Sequence, residues 1–149
     1  NTQGAIQALG ANSSIEDSFT AVSADGSEQV VTVTITGVDD AEVLTGVSNG
    51  TVIEDTGETL TVTGTLSVTD ADEDDTAAFV AQVATAGSLG LGTFNIGADG
   101  KWTYSVDNSL PTVQNLSAGN NAVETFTVMT TGGTSQVEGE PAKKCRVEV

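Results

Sequence analysis

The stretch that decides the fold runs from Phe94 to Val106 and reads FNIGADGKWTYSV. Apolar and polar side chains alternate on both sides of the dipeptide Asp99-Gly100, and a period of two is typical of strands with one buried face. Asp-Gly favours a type I′ turn, because both central residues of that turn need a positive φ. The sequence therefore predicts a β-hairpin whose aromatic side chains face a core.

The same alternation recurs on either side of this hairpin. Leucine and valine share one face of the segment from Leu60 to Val68 (LTVTGTLSV), and threonine and serine share the other. The segment VTVTIT after Val30 has the same pattern, and Asp25-Gly26 predicts a turn between it and a strand that contains Phe19. Since no segment of ten or more residues has the periodicity of an amphipathic helix, the chain is predicted to be an all-β sandwich.

The chain also repeats itself at an offset of 107 residues. Residues 1–30 align without gaps on residues 108–137 with nine identities, among them Leu9 with Leu116 and Phe19 with Phe126. A period close to the size of a domain indicates a tandem array. The predicted organisation is the C-terminal half of a preceding repeat (1–37), an acidic interdomain junction (38–43), a second repeat (44–137) and an atypical tail (138–149).

The tail breaks the repeat. The segment EGEPAKK should match VTVTITG by the offset, yet it has no alternation and contains a proline, so the tail is expected to have no role in the fold. The second repeat then lacks its closing strand. Val31, Val33 and Ile35 have the sequence of that strand, and we expect them to be buried by strand addition against the second repeat, its copy or another molecule.

Composition excludes several classes of function. The 149 residues include 21 Asp and Glu, four Lys and Arg and no His, which gives a net charge of -17. Such a surface repels nucleic acid and anionic membranes, and no apolar run reaches the roughly 20 residues of a membrane span. Without a histidine to activate serine or threonine, and with no base beside Cys145, the protein is predicted not to be an enzyme. Cations are the expected small partners.

The segment TDADEDD from Thr69 to Asp75 is the strongest candidate for a cation site. Asp70, Asp72 and Asp74 alternate like the first three ligands of a calcium loop, although the glycine and glutamate of an EF-hand are missing. Five carboxylates without a counterion repel one another, which works against folding. The alternative is a solvated acidic loop.

Several motifs resemble, in order, those of the VCBS repeat of large bacterial surface proteins and RTX-type adhesins. They are VTVTITGVDDAEV, GTVIED, LTVTGTLSVTDAD, GADGKWTYSVDNSLPTVQNL and ETFTV, and the resemblance spans residues 1 to about 137. The resemblance implies immunoglobulin-like or cadherin-like sandwiches in tandem, exported by type I secretion to the bacterial cell surface. It also implies that they act as spacers in cell adhesion and biofilm formation, with neighbouring repeats as partners.

A second acidic grouping is similar to the linker sites of cadherin-like tandem domains. Asp39 and Asp40 lie in the junction, and Glu54 and Asp55 follow a short predicted strand. Oxygens of two domains that share one Ca²⁺ would stiffen the joint between them. An ordinary polar linker is the alternative.

Two functions are compatible with these features: an extender, or a module that binds surface glycans or matrix proteins. Exposed aromatic side chains would favour the binding module. The aromatic residues lie mostly on the core side of predicted strands, which favours the extender; they are Phe19, Phe79, Phe94, Trp102, Tyr104 and Phe126.

Overall fold

A computed structural model describes residues 3–73 and 77–131 together with the backbone of residues 144–148. Strands dominate this part of the chain, and each of the two α-helices has only four residues. The elements in chain order are α1 (Gly4–Gln7), β1 (Ser14–Val22), β2 (Glu28–Thr36), β3 (Val43–Gly46), β4 (Asn49–Thr51), β5 (Thr59–Thr69), β6 (Gln82–Ala86), β7 (Gly92–Ile96), β8 (Lys101–Asp107), α2 (Pro111–Gln114), β9 (Val123–Thr127) and β10 (Lys144–Glu148).

The strands after residue 42 form a sandwich of two sheets. One sheet has the order β3-β5-β8-β7-β6 and the other has the order β4-β10-β9, while β1 and β2 pair only with each other in the described chain. Phe126 on β9 stacks on Phe94 of β7, with 4.8 Å between the ring centroids, so the two sheets share one core. The prediction of an all-β sandwich is confirmed.

The predicted central hairpin consists of β7 and β8, with Ile96 opposite Trp102. Its turn is not type I′, because Gly100 has a φ of 76° whereas Asp99 does not have a positive φ. The Gly97 N–H donates to the Lys101 carbonyl and the Gly100 N–H donates to the Gly97 carbonyl. This geometry fits a type I turn followed by one left-handed residue, which also joins hairpin strands without splaying them.

The predicted faces of β5 are also present. Leu60 and Leu66 are buried and Val62 is half-buried, whereas the threonines between them are exposed. Phe79, Phe94, Trp102, Tyr104 and Phe126 are all buried, as the sequence predicts. Phe19 is the exception among the aromatic residues, since 59% of its surface is exposed.

The expectation that the tail has no fold role is wrong. The backbone of β10 pairs antiparallel with β9 and parallel with β4, and so occupies the middle of the smaller sheet. In the first hairpin Phe19 pairs with Val31. The 107-residue offset therefore predicts that Phe126 pairs with Glu138. Phe126 instead pairs with Cys145, which lies seven residues further along the chain. The closing strand is therefore present, but it comes seven residues later than the repeat predicts.

The hairpin of β1 and β2 forms with the predicted turn at Asp25 and Gly26, where Gly26 has a φ of 87°. Its apolar face is not covered, however. Val31 and Val33 are exposed and Ile35 is half-buried, so the expected burial against the second repeat does not occur within the part of the chain that the structure describes. The physical reason is that β10 already holds the position that β2 was expected to fill.

The sequence repeat has a structural counterpart in the two short helices. Helix α1 (Gly4–Gln7) and helix α2 (Pro111–Gln114) occupy corresponding positions at the offset of 107 residues. Each precedes a strand, β1 or β9, that contains the repeated phenylalanine. The helices were not predicted because one turn is too short to show a helical period.

Candidate functional site

The acidic loop after β5 and the acidic junction before β3 meet at one place. Only 3% of the surface of Asp72 is exposed, and its Oδ2 accepts a hydrogen bond of 2.7 Å from the backbone N–H of Asp40. The backbone N–H of Asp72 in turn donates to Asp70 Oδ1 at 2.9 Å. The loop and the junction come together because β3 pairs with the last residues of β5, with Val43 opposite Thr69.

Residues from before the junction complete this site. The Glu73 N–H donates to the Ala8 carbonyl at 3.2 Å. Gly10 is buried, and a Cβ added to it would lie 3.4 Å from the side chain of Asp72. We call this place the joint and define it by Ala8, Gly10, Asp40, Asp70 and Asp72.

The joint contains carboxylate oxygens that have no hydrogen-bond partner. Asp70 Oδ2 and Asp72 Oδ1 are both buried and unpaired, and Oε1 of Glu42, the residue just before β3, is buried and unpaired as well. A buried carboxylate oxygen without a donor or a cation costs free energy that folding must offset elsewhere. The arrangement therefore favours a bound cation.

No protein cation neutralises these oxygens among the residues whose side chains are described. Lys101 is the one basic residue in that group, and its Nζ lies 2.7 Å from Asp99 Oδ2 in an exposed ion pair. The ion pair raises the pKa of Lys101 and lowers the pKa of Asp99, so both groups stay charged at neutral pH. The described side chains therefore supply no cation to the joint, and a cation from solution would fit there.

The described residues do not bring three acidic side chains together into a ready metal cluster. Asp70 and Asp72 supply two carboxylates, and the third predicted ligand, Asp74, lies outside the described residues. Asp39 is half-buried in the same linker as Asp40, and Asp40 contacts Asp72 through its backbone N–H. Since Ca²⁺ also accepts backbone carbonyls and water, two carboxylates are a partial ligand set that fits this ion.

The predicted grouping of Asp39 and Asp40 with Glu54 and Asp55 is wrong. Asp55 follows β4, and its N–H donates to Asn108 Oδ1 while Gln114 Nε2 donates to Asp55 Oδ1 at 3.0 Å. This place lies near the first residue of β5, whereas the joint lies at its last, and eleven residues of strand span about 33 Å.

Asp55 instead borders a cleft of about 800 Å³ at the far end of the sandwich. Carboxylates, amides, hydroxyls and backbone line it, which suits a polar ligand better than an apolar one. The lining residues are Asp55, Gly57, Glu58, Thr59, Asp107, Asn108, Ser109 and Gln114.

Sequence reasoning missed Glu124, a carboxylate that is fully buried in the core. Its oxygens accept hydrogen bonds from the N–H groups of Leu91 and Gly92 and from the hydroxyl of Tyr104, at 2.9, 3.1 and 2.8 Å. Burial of the phenol, together with its hydrogen bond to Glu124, raises the pKa of Tyr104, so the hydroxyl remains a donor. The glycine-rich segment between β6 and β7 is thus tied to the core.

The signal for Glu124 was its position in ETFTV, where it shares strand parity with Phe126. A charged residue on the core face indicates a buried partner, but the sequence alone does not say which one. The Gly87 backbone passes so close to Glu124 and Phe126 that a side chain there would overlap both. That contact explains a glycine at the start of the loop.

A scan against models of known protein families gives no match, and a search of curated proteins finds no relative. No helix in the described ranges is long and apolar enough to span a bilayer.

Proposed function

We propose that this chain is a non-catalytic extender segment of tandem β-sandwich domains in a secreted bacterial surface adhesin, with a joint that Ca²⁺ stiffens. The internal repeat and the resemblance to VCBS repeats support the tandem array and the setting in cell adhesion and biofilm formation. The net charge of -17 suits a surface protein that must stay soluble and meets divalent cations outside the cell.

The observation that carries the proposal is the burial of Asp72 at the joint. Its carboxylate contacts the linker through Asp40, packs on Gly10 from before the linker, and keeps one oxygen unpaired. A buried charge at the meeting point of two units makes their relative orientation sensitive to whatever neutralises it. When bound at the joint, Ca²⁺ would supply the positive charge that neutralises Asp72, and it would be held by Asp70, Asp72 and nearby oxygens.

Stiffening by calcium can be measured in a chain with two whole repeats. Because residue 108 corresponds to residue 1, such a chain is made by placing a second copy of residues 38–107 directly ahead of Asn1; we call it the extended chain. We expect small-angle scattering to show a longer maximum dimension with calcium than with chelator, since an unliganded polar linker leaves two domains free to reorient.

The extended chain provides its own matched control. Asp72→Asn at the original position, which lies in the joint, should remove the calcium-dependent change in length. The same substitution in the added N-terminal copy, which has no unit before it, should leave the change intact. Identical scattering with calcium and with chelator would contradict the proposed stiffening.

The alternative function is a module that binds surface glycans or matrix proteins. The polar cleft beside Asp55 and the exposed ring of Phe19 are the observations that favour it. A glycan array probed with the full chain separates the two functions. Binding that Asp55→Ala or Asn108→Ala abolishes would favour the binding module, and its absence across the array would favour the extender.

A further inference from the structure

The uncovered face of the β1–β2 hairpin has a defined composition. The side chains of this face are cross-strand partners in the register Ile15–Ile35, Asp17–Val33 and Phe19–Val31. Its apolar members are Ile15, Phe19, Val31, Val33 and Ile35. Phe19 and Val33 are 59% and 49% exposed, so the face is apolar and without a partner in the described chain. One charged side chain, Asp17, sits within it.

Asp17 and Phe19 have counterparts in β9 at the offset of 107 residues, and Ala21 has one directly after β9; there the face is covered. Phe126, the counterpart of Phe19, is 2% exposed and stacks on Phe94. Glu124, the counterpart of Asp17, is fully buried and accepts hydrogen bonds from a tyrosine hydroxyl and two backbone N–H groups. Val128, the counterpart of Ala21, is buried as well.

From this correspondence we infer that the hairpin face is a docking surface for a sheet of the kind formed by residues 43–107. The partner sheet presents an aromatic ring to Phe19, as Phe94 does to Phe126, and a hydroxyl and backbone amides to Asp17. Apolar area drives the contact and the carboxylate sets its register, since an Asp buried without donors would oppose docking.

The best-placed source of such a sheet is a segment joined directly ahead of Asn1. The matching sheet within this chain is already covered by β4, β9 and β10, and a second copy would have to displace its own strands to accept the hairpin. This inference rests on the tandem array in the proposed function but not on calcium, and its test is therefore run both with calcium and with chelator.

Thiol labelling in the extended chain tests the inference. Cys145→Ser removes the native thiol, and Ala21→Cys then places one on the docking face. Thr20→Cys, on the adjacent residue, places one on the opposite face, where the counterpart Thr127 is exposed. We expect Ala21→Cys to react at least about tenfold more slowly in the extended chain than in the 149-residue chain, and Thr20→Cys to react alike in both.

Asp17→Ala tests the carboxylate directly. In the extended chain it should speed labelling of Ala21→Cys, and in the 149-residue chain it should have no effect. Equal labelling of Ala21→Cys in both chains would overturn the inference. Protection of Ala21→Cys already in the 149-residue chain, with elution as a dimer, would also overturn it and assign the face to a second copy.

Discussion

Deletion of residues 144–149 is expected to unfold the sandwich or to lower its melting temperature by tens of degrees. The deletion removes β10, the strand between β4 and β9, and leaves the smaller sheet without a middle. The backbone groups of both neighbours lose their partners, and one side of the core is uncovered. Domains of this size have total stabilities of about 5–15 kcal/mol, so the loss of a central strand is of the same order as the whole. Circular dichroism during heating measures the effect.

Deletion of residues 1–37 provides the contrast. The hairpin of β1 and β2 pairs only with itself in the described chain, and the segment before it contacts the remainder at the joint, through Ala8 and Gly10. We expect its removal to change the stability of the sandwich by about 1 kcal/mol or less. If the two deletions had equal effects, or if the chain without residues 144–149 kept its melting temperature, the assignment of β10 as the closing strand would be wrong.

Glu124→Ala is the single substitution with the largest expected effect, a loss of about 3–5 kcal/mol in the free energy of unfolding. It leaves three donors without an acceptor, of which the Gly92 N–H and the Tyr104 hydroxyl are buried, and it opens a cavity beside Phe126. Tyr104→Phe removes only one of the three hydrogen bonds and should cost about 1–2 kcal/mol. Urea denaturation gives both values.

The control is Glu58→Ala, which removes an exposed carboxylate and should change stability by about 0.5 kcal/mol or less. The double variant Glu124→Ala with Tyr104→Phe should cost less than the sum of the two single losses, because they share a hydrogen bond. A cost below about 1 kcal/mol for Glu124→Ala would show that the core does not depend on this network.

The sequence was sufficient for features that depend on local pattern. Alternation predicted the inward faces of β5, β7 and β8, and Asp-Gly predicted the position of the hairpin. The turn is not the predicted type I′, because its loop has one residue more than a two-residue turn and Asp99 then does not need a positive φ. Phe19 is exposed although the sequence predicts that it is buried, because strand parity indicates which side of a strand is apolar but not whether another sheet covers that side.

Features that depend on long-range pairing could not be predicted. β10 could not be predicted because the 107-residue offset places the closing strand at EGEPAKK, seven residues too early, and the true position comes from backbone pairing with β4 and β9. At the candidate site, spacing placed Asp70 and Asp72 in one loop, but the approach of Asp40 depends on the pairing of β3 with the end of β5. Asp55 lies apart from Asp39 and Asp40 because the eleven residues of β5 separate the two places, a distance that the spacing of the acids along the chain does not reveal.

The most direct test of the proposed calcium joint is the melting temperature of the 149-residue chain with about 1 mM calcium and with chelator. The comparison is made at about 0.15 M salt, so that general screening of its negative charge is already present. With a Kd of about 0.1–1 mM, binding adds roughly 0.4–1.4 kcal/mol, which corresponds to a rise of about 2–8 °C. Asp72→Asn should abolish the rise, and Asp55→Asn, at the other end of β5, should retain it.

In chelator, Asp72→Asn removes a buried charge but keeps an oxygen that can accept the N–H of Asp40, so the variant should melt at or above the wild-type temperature. Loss of the calcium response without loss of stability in chelator is the result that our account predicts. Equal wild-type melting temperatures with calcium and with chelator, or a full calcium response in Asp72→Asn, would contradict it.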